Sequence, residues 1–165
     1  MSVENVRAAL ATAYLAATNL ATEWENVTFT APKGAPWNSV QFAPNVPVPV
    51  TCGPDGEDEA TGYFQVTCCC PKGKGEKLAL EQVTLLLTTF KTGSKFTYGG
   101  QEVLVTSAGR APGFASQEWY KIPFTVFFLA RHNRNTPVYV EGDFVLWGDN
   151  ETVLWGDNEK VENTP

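Results

Sequence analysis

Four cysteines and a single histidine are the residues that could give this chain a metal site or a nucleophile. Cys68, Cys69 and Cys70 are consecutive, Cys52 lies upstream, and His132 is far along the chain. Thiolates and imidazoles are zinc's usual ligands, and a thiol beside a histidine can act as a nucleophile. The PKGKG that follows the cysteines could surround an anion. The stretch is either a chemical site or a strand that runs through a turn into a helix.

The spacing of the cysteines favours the strand. Zinc sites typically use C-x₂₋₄-C pairs, whereas on a strand Cys69 points away from Cys68 and Cys70. A disulfide between Cys68 and Cys70 is disfavoured, because residues i and i+2 of a strand stand about 6.5–7 Å apart. No redox C-x-x-C is present. We therefore interpret the cysteines as small buried residues, and predict no metal and no cofactor.

The other candidates for chemistry are also weak. PKGKGEK has no Ser or Thr after a lysine, as a P-loop requires. His132 lies in a basic turn beside Arg131 and Arg134, and no G-x-S-x-G accompanies it. The segment 53–62, GPDGEDEATG, does not match a calcium-binding loop and is interpreted as a solvated acidic loop, with cation binding as the alternative. The sequence does not predict an enzyme.

Composition and charge indicate one globular domain with an acidic end. The 165 residues are 43% hydrophobic and 18% charged, which allows a buried core. No apolar run approaches the roughly 18 residues that span a bilayer, and the N-terminus is typical of a helix and not of a signal peptide. We expect folding in a reducing cytoplasm. Residues 141–165 carry seven acids against Lys160 alone, while the remaining residues balance. We predict a domain over 1–140 and a separate acidic segment over 141–165.

Hydrophobic periodicity predicts two helices, at about 3–22 and 76–91. Ser2 could cap the first helix, and its apolar positions recur on one face. The second has an apolar stripe and is followed by Gly93 at a capping position. The predicted stripe residues are Val3, Val6, Leu10, Ala13, Ala17 and Leu20 in the first helix, and Ala79, Leu80, Val83, Leu86, Leu87 and Phe90 in the second.

Alternating patterns predict a mostly antiparallel sheet, and hence an α+β fold. The clearest strand is 63–70, with Phe64, Val66, Cys68 and Cys70 on one face. Gly99-Gly100 marks a hairpin, and 122–130 is apolar on both faces, so that we expect both to be covered. Shorter strands are predicted at 27–30 and 39–42. Prolines interrupt residues 24–54, which form either an extended arm or a meander with loops.

The heptapeptide VLWGDNE occurs twice near the end, at 145–151 and 153–159. One interpretation is a hairpin that brings Trp147 and Trp155 together, and the other is a short duplication in a frayed tail. Both are open at the level of sequence.

The layout resembles a family of phage proteins. The shared features are a helical start, the arm NVTFTAPKGAPWNSVQF, GYFQVTCCCPKGKGE before a helix ending in FKTG, GGQEVLV, APG, and EWYKIPFTVFF. Over about residues 1–131 this pattern is similar to that of the tail terminator (tail completion) proteins of phages with long non-contractile tails. The segment 141–165 lies outside the resemblance.

The resemblance implies a structural assembly protein of the virion tail or neck, assembled in the host cytoplasm. It implies an α+β subunit of a six-membered ring that caps the tail tube, stops its polymerisation and joins the head connector. DNA would pass through the lumen without specific binding, and no membrane is involved. The alternatives are another neck or head-completion protein, or, in a different class, a monomeric thiol- or metal-binding protein.

Residue type and position suggest which parts of such a subunit touch partners. Strand 122–130 should serve core and subunit packing, charged residues could pair with acids on a neighbour or on the tube, and the proline-rich arm could lie across the next subunit. The predicted contact residues are Trp37, Lys72, Lys74, Phe127, Leu129, Arg131, Arg134, Trp147 and Trp155.

Overall fold

Two fifteen-residue antiparallel strands form the centre of the fold. The computed structural model describes residues 3–134, 144–147 and 151–154, and of the last two ranges only the backbone. β4 (Glu57–Pro71) and β8 (Trp119–Asn133) pair along their whole length. The predicted strands 63–70 and 122–130 are therefore confirmed as parts of longer strands.

Six further strands complete an eight-stranded sheet within residues 3–134. Its order is β1-β2-β4-β8-β6-β5, with β3 beside β4 and β7 beside β8. Only the β1–β2 pair is parallel among these described pairs, so the predicted α+β fold with a mostly antiparallel sheet is confirmed. The remaining strands are β1 (Thr22–Glu23), β2 (Trp37–Pro44), β3 (Val48–Pro49), β5 (Lys95–Tyr98), β6 (Gln101–Arg110) and β7 (Phe114–Ser116).

Two helices, α1 (Val3–Ala17) and α2 (Lys77–Thr89), pack on one face of this sheet. Alternate residues of β4 and β8 point toward them and make the core, as strand periodicity predicts. The largest fully buried side chains are Tyr14, Phe64, Phe90, Phe124, Phe128, Leu10, Leu86 and Ile122. Tyr14, absent from the predicted stripe, accepts a hydrogen bond from Asn38 Nδ2 (2.9 Å) and shares one with Thr22 Oγ1 (2.7 Å).

The first helix is shorter than predicted. It ends at Ala17, and the Thr18 hydroxyl then accepts a hydrogen bond from the Leu20 amide (3.3 Å). Threonine side chains compete with the helical backbone in this way, so the helix stops although no Gly or Pro follows it. Ser2, the predicted cap, lies outside the described residues.

The second helix exists as predicted but exposes two residues of its predicted stripe. Ala79, Val83 and Leu86 are buried, whereas Leu80 and Leu87 are 36% and 41% exposed. The two leucines lie about 80–100° around the helix from Ala79 and therefore flank the buried line. The helix ends at Thr89, with Phe90 as the cap residue. Gly93 (φ 86°) lies in the turn that follows.

Tertiary pairing overrides local turn signals at 53–62. The sequence predicted a loop there, but β4 already begins at Glu57, because β3 and β8 pair with its first residues. Conversely, the predicted strand at 27–30 is wrong, since these residues lie outside any helix or strand. The predicted strand 39–42 is confirmed within β2, and the glycine hairpin is confirmed, with Gly99 and Gly100 at φ 53° and 75°.

The chain divides into two compact units, Met1–Arg134 and Asn135–Pro165. Within the second, β9 (Phe144–Trp147) and β10 (Glu151–Leu154) pair antiparallel. Trp147 is opposite Glu151 and not opposite a tryptophan, so the hairpin exists in a register different from the proposed one. Trp155 lies outside the described residues.

Candidate functional site

The face of the sheet opposite the helices carries no layer of its own within residues 3–134, and we call it the open face. Its central positions on β2, β4, β6 and β8 hold uncharged side chains, set by the alternation of residues along each strand. They are Ser39, Gln41, Tyr63, Gln65, Thr67, Ser107, Thr125, Phe127 and Leu129. These central positions include two of the predicted contact residues, Phe127 and Leu129.

One half of the open face is apolar around Phe127. That side chain is 48% exposed and contacts the Tyr63 ring edge-on, with centroids 6.5 Å apart. Leu129 is half-buried beside it, and Leu104 is its neighbour on β6. Monomers usually cover such side chains or use them for contacts. The sequence predicted that both faces of 122–130 are covered. Within the described residues, only the face that points toward the helices is covered.

A valine-proline ribbon extends this apolar half. Val46, Val48 and Val50 are 85%, 64% and 43% exposed, and Val48 lies opposite Glu59 on the open-face side of the sheet. The Val50 amide donates to the Glu57 carbonyl (2.8 Å), which fixes the ribbon against β4. The sequence predicted only that prolines interrupt residues 24–54, as an extended arm or a meander with loops. The alternation of Val with Pro was the available signal for an edge ribbon.

The other half of the open face buries Trp37. Its side chain is 6% exposed and packs against Phe29 (5.1 Å) and Trp119 (5.6 Å between ring centroids). Lys121 lies over the same ring at 5.9 Å. Trp37 is thus mainly a contact within its own chain, which leaves little of its surface for a neighbouring subunit.

The three consecutive cysteines are all buried, on both sides of β4. Cys68 and Cys70 face the helices as predicted, and Cys69 is also only 1% exposed, because the Trp37 cluster covers it. Burial raises the pKa of Cys68 and of Cys69 to about 12, so both remain protonated thiols at neutral pH. Protonated thiols are poor nucleophiles and poor metal ligands.

The predicted contact residues Arg131 and Arg134 pair within their own chain. Arg131 binds Glu59 (3.0 Å) on the open face. Arg134 Nε donates to Asp58 Oδ1 (2.8 Å), and its guanidinium also donates to the carbonyls of Thr51 (2.9 Å) and Gly53. Asp58 and Glu59, which the sequence predicted to lie in a solvated acidic loop, are thus the partners of these arginines. Hydrogen bonding to Arg134 lowers the pKa of Asp58.

His132 belongs to the same end of the sheet and lies beside Asp58. Its Nε2 lies 3.7 Å from Asp58 Oδ2, and its buried Nδ1 has no hydrogen-bond partner within the described chain. Burial lowers the pKa of His132, which favours the neutral imidazole at pH 7. No described group of three or more His, Cys, Asp or Glu residues has the arrangement of a metal site.

Lys72 and Lys74 project from the exposed turn between β4 and α2. Gly73 and Gly75 take φ values of 83° and 80°, which glycine adopts without strain, and the Lys72 amide donates to the Glu118 carbonyl (2.9 Å). No ion pair joins either lysine to another described residue. Trp147 is on β9, and no placement of its side chain is described.

The outer side of α2 carries a second apolar surface. Leu80 and Thr84, one turn apart, line a shallow and mostly apolar depression with Lys77 and Glu81. The two charged residues form an i,i+4 pair at 3.9 Å. No helix among the described residues is long and apolar enough to cross a membrane.

Comparison with known proteins agrees with this architecture. Nine chains of solved structures match, among them one at 21% identity and a TM-score of 0.65, with 79% of this chain and 96% of that chain covered. At that identity the match shows the fold alone. Curated proteins give no significant match. The family described as "Phage tail terminator protein" matches residues 4–128. That match spans both helices and most of the sheet, and the chain therefore belongs to the phage tail terminator protein family.

Proposed function

We propose that this protein assembles into a homohexameric ring that caps the growing tail tube, stops its polymerisation and joins the tail to the head connector. The family is a structural one, and its place is the virion tail. The proposal also includes a position of the ring at the neck of the particle and its assembly in the host cytoplasm.

The observation that carries the proposal is the open face with Phe127 at its centre. An exposed apolar patch on the uncovered face of a sheet often marks a contact with another protein, and the patch around Phe127 is of this kind. In the proposed ring a neighbouring subunit covers it. Rings form when two unlike surfaces of one subunit meet head to tail and the rotation closes.

Charge supports a passive role toward DNA. The first 140 residues carry as many acids as bases. A wall without excess positive charge does not retain the phosphate backbone. DNA in this proposal slides through the lumen without specific binding. Lys72 and Lys74 remain available for acids of the tail tube protein or the connector protein.

Light scattering combined with metal analysis and electron microscopy tests the proposal on the purified full chain. We expect a metal-free particle of six subunits that appears as a ring, or a monomer that forms such rings at high concentration. A monomer that carries stoichiometric zinc at all concentrations contradicts the proposal and favours the thiol- or metal-binding alternative.

A further inference from the structure

We propose that Phe127 of one copy inserts into the α2 depression of the next copy, the depression being the surface lined by Lys77, Leu80, Glu81 and Thr84. This inference rests on the proposed ring and names the contact that builds it. The partner is a second copy of this chain, bound head to tail.

The two surfaces lie on opposite sides of the same unit. The depression belongs to the outer side of the helix layer, and Phe127 to the face of the sheet that the helices leave open. A copy placed so that its helix layer meets the next open face gives a repeat of alternating helix and sheet layers. Because the two surfaces differ, the contact is heterologous, which a ring of more than two subunits requires.

Size and shape suit the contact. The thirteen residues of α2 give a helix about 20 Å long, and the eight residues of β2 that pair with β4 extend about 26 Å, so the helix is no longer than this part of the sheet. Phe127 is 48% exposed and stands on a central strand. Aromatic side chains seated in pockets are the usual anchors of protein interfaces.

Charge also matches at this point. The neighbours of Phe127 across the strands are Tyr63 and Ser107, and neither is charged. The two charges at the depression, Lys77 and Glu81, are of opposite sign and lie 3.9 Å apart, so docking brings no net charge onto the uncharged centre of the sheet.

A second exposed phenylalanine on the open face fits less well. Phe114 is 49% exposed on the three-residue strand β7, directly opposite Lys121. Docking there would bring Lys121 toward Lys77 of the next copy. Since Phe114 aligns with position 121 of β8, it stands about 20 Å from Phe127 and provides a matched control.

Cysteine pairing between differently labelled copies tests the contact. In a Cys52→Ser background only buried cysteines remain in the described chain, so introduced thiols react selectively. Ser107→Cys, which lies directly across from Phe127, and Thr84→Cys, which lines the depression, leave Phe127 and Leu80 in place. The two chains are prepared separately, mixed under assembly conditions and treated with a short bismaleimide. We expect linked pairs in the mixture and none in either chain alone.

The outcomes separate this contact from the ring itself. Phe114→Cys mixed with Thr84→Cys should give no linked pairs, and Phe127→Ala should weaken assembly at least about tenfold while Phe114→Ala leaves it unchanged. A ring that forms without the link between positions 107 and 84, or that links Ser107→Cys chains to each other, overturns the docking proposal alone. A chain that stays monomeric under all conditions overturns the ring and the docking together.

Discussion

At the residue scale, the CCC triplet shows how a chemical motif becomes a packing motif. Cys68 and Cys70 fill the core under the helices, and Cys69 fills the opposite side beneath Trp37. Alternation along the strand predicted the two sides correctly. The prediction that all three are buried is also confirmed, and for Cys69 the cover comes from Trp37 on β2 and from Trp119, which are far away in sequence.

Serine substitutions distinguish the two environments. The Cys69 thiol donates to the Thr67 carbonyl (3.6 Å), whereas the Cys68 thiol has no hydrogen bond shown within the described chain. Cys68→Ser should lower the free energy of unfolding by about 1–3 kcal/mol, because a hydroxyl is buried without a partner. Cys69→Ser should cost less, since its hydroxyl keeps an acceptor nearby. Urea unfolding measures both, and equal losses would refute this assignment of the two faces.

The burial of His132 predicts a pH dependence of stability. Burial lowers its pKa in the folded state, so the unfolded chain binds the proton more readily. The contribution of the neutral His132 to the free energy of unfolding is therefore fully present above the pKa of the unfolded chain, about 6.5. This contribution is lost as the pH decreases below that value. Asp58 and Arg134 are the charged groups beside it, and both keep their charge between pH 7 and 5.

Thermal unfolding at pH 7 and pH 5 checks this contribution. The His132→Gln variant should lose less stability than the natural chain over that interval. Asp58, whose pKa is lowered by Arg134, contributes its own loss only below about pH 4. An identical decrease in the two proteins between pH 7 and 5 would show that His132 does not titrate differently on folding.

At the element scale, α2 has two adjacent leucines, of which one points toward the sheet and the other away from it. Leu86 is fully buried against the sheet, and the adjacent Leu87 is 41% exposed. Leu86→Ala should lower the free energy of unfolding by about 2–5 kcal/mol, because it leaves a cavity. Leu87→Ala should change it by no more than about 0.5 kcal/mol.

Chemical denaturation of the two alanine variants gives the comparison. Similar losses in the free energy of unfolding would mean that Leu87 is as buried as Leu86, as the apolar stripe in the sequence predicted. Circular dichroism at low denaturant provides the control that both variants keep their helix content.

The elements that sequence predicted well are those with local signals. The strand 122–130, the Gly99-Gly100 turn and the existence of both helices follow from periodicity and turn chemistry. What sequence missed depends on pairing between distant segments. β4 begins at Glu57 only because β8 and β3 pair with an acidic segment that looks like a loop.

The candidate surface was predicted only in part, for the same reason. Phe127 and Leu129 were predicted to be contact residues, whereas Val48 was not, and Leu80 was predicted only as part of the apolar stripe of the second helix. Val48 joins the open face through its register with Glu59, and Leu80 is turned outward by the way α2 sits on the sheet. Neither relation is encoded in a short stretch of sequence.

At the scale of the whole molecule, residues 1–134 form one compact unit with its own core. We expect deletion of 143–165 to leave the melting temperature of this unit unchanged, because the described core lies within residues 6–130. Differential scanning calorimetry of the full and shortened chains measures this. Loss of solubility or of the cooperative transition in the shortened chain would show that the acidic segment is part of the domain.

The chain belongs to the phage tail terminator protein family, and the open face and the apolar depression on α2 support the proposal that it acts by assembly. The central activity that we propose for it is to end the growth of the tail tube. The most direct test adds the purified protein to tube protein of the same phage as it polymerises, and measures tube lengths by electron microscopy. The account predicts that growth stops and that each capped end carries a ring; tubes that keep growing at the same rate, with bare ends, would contradict it.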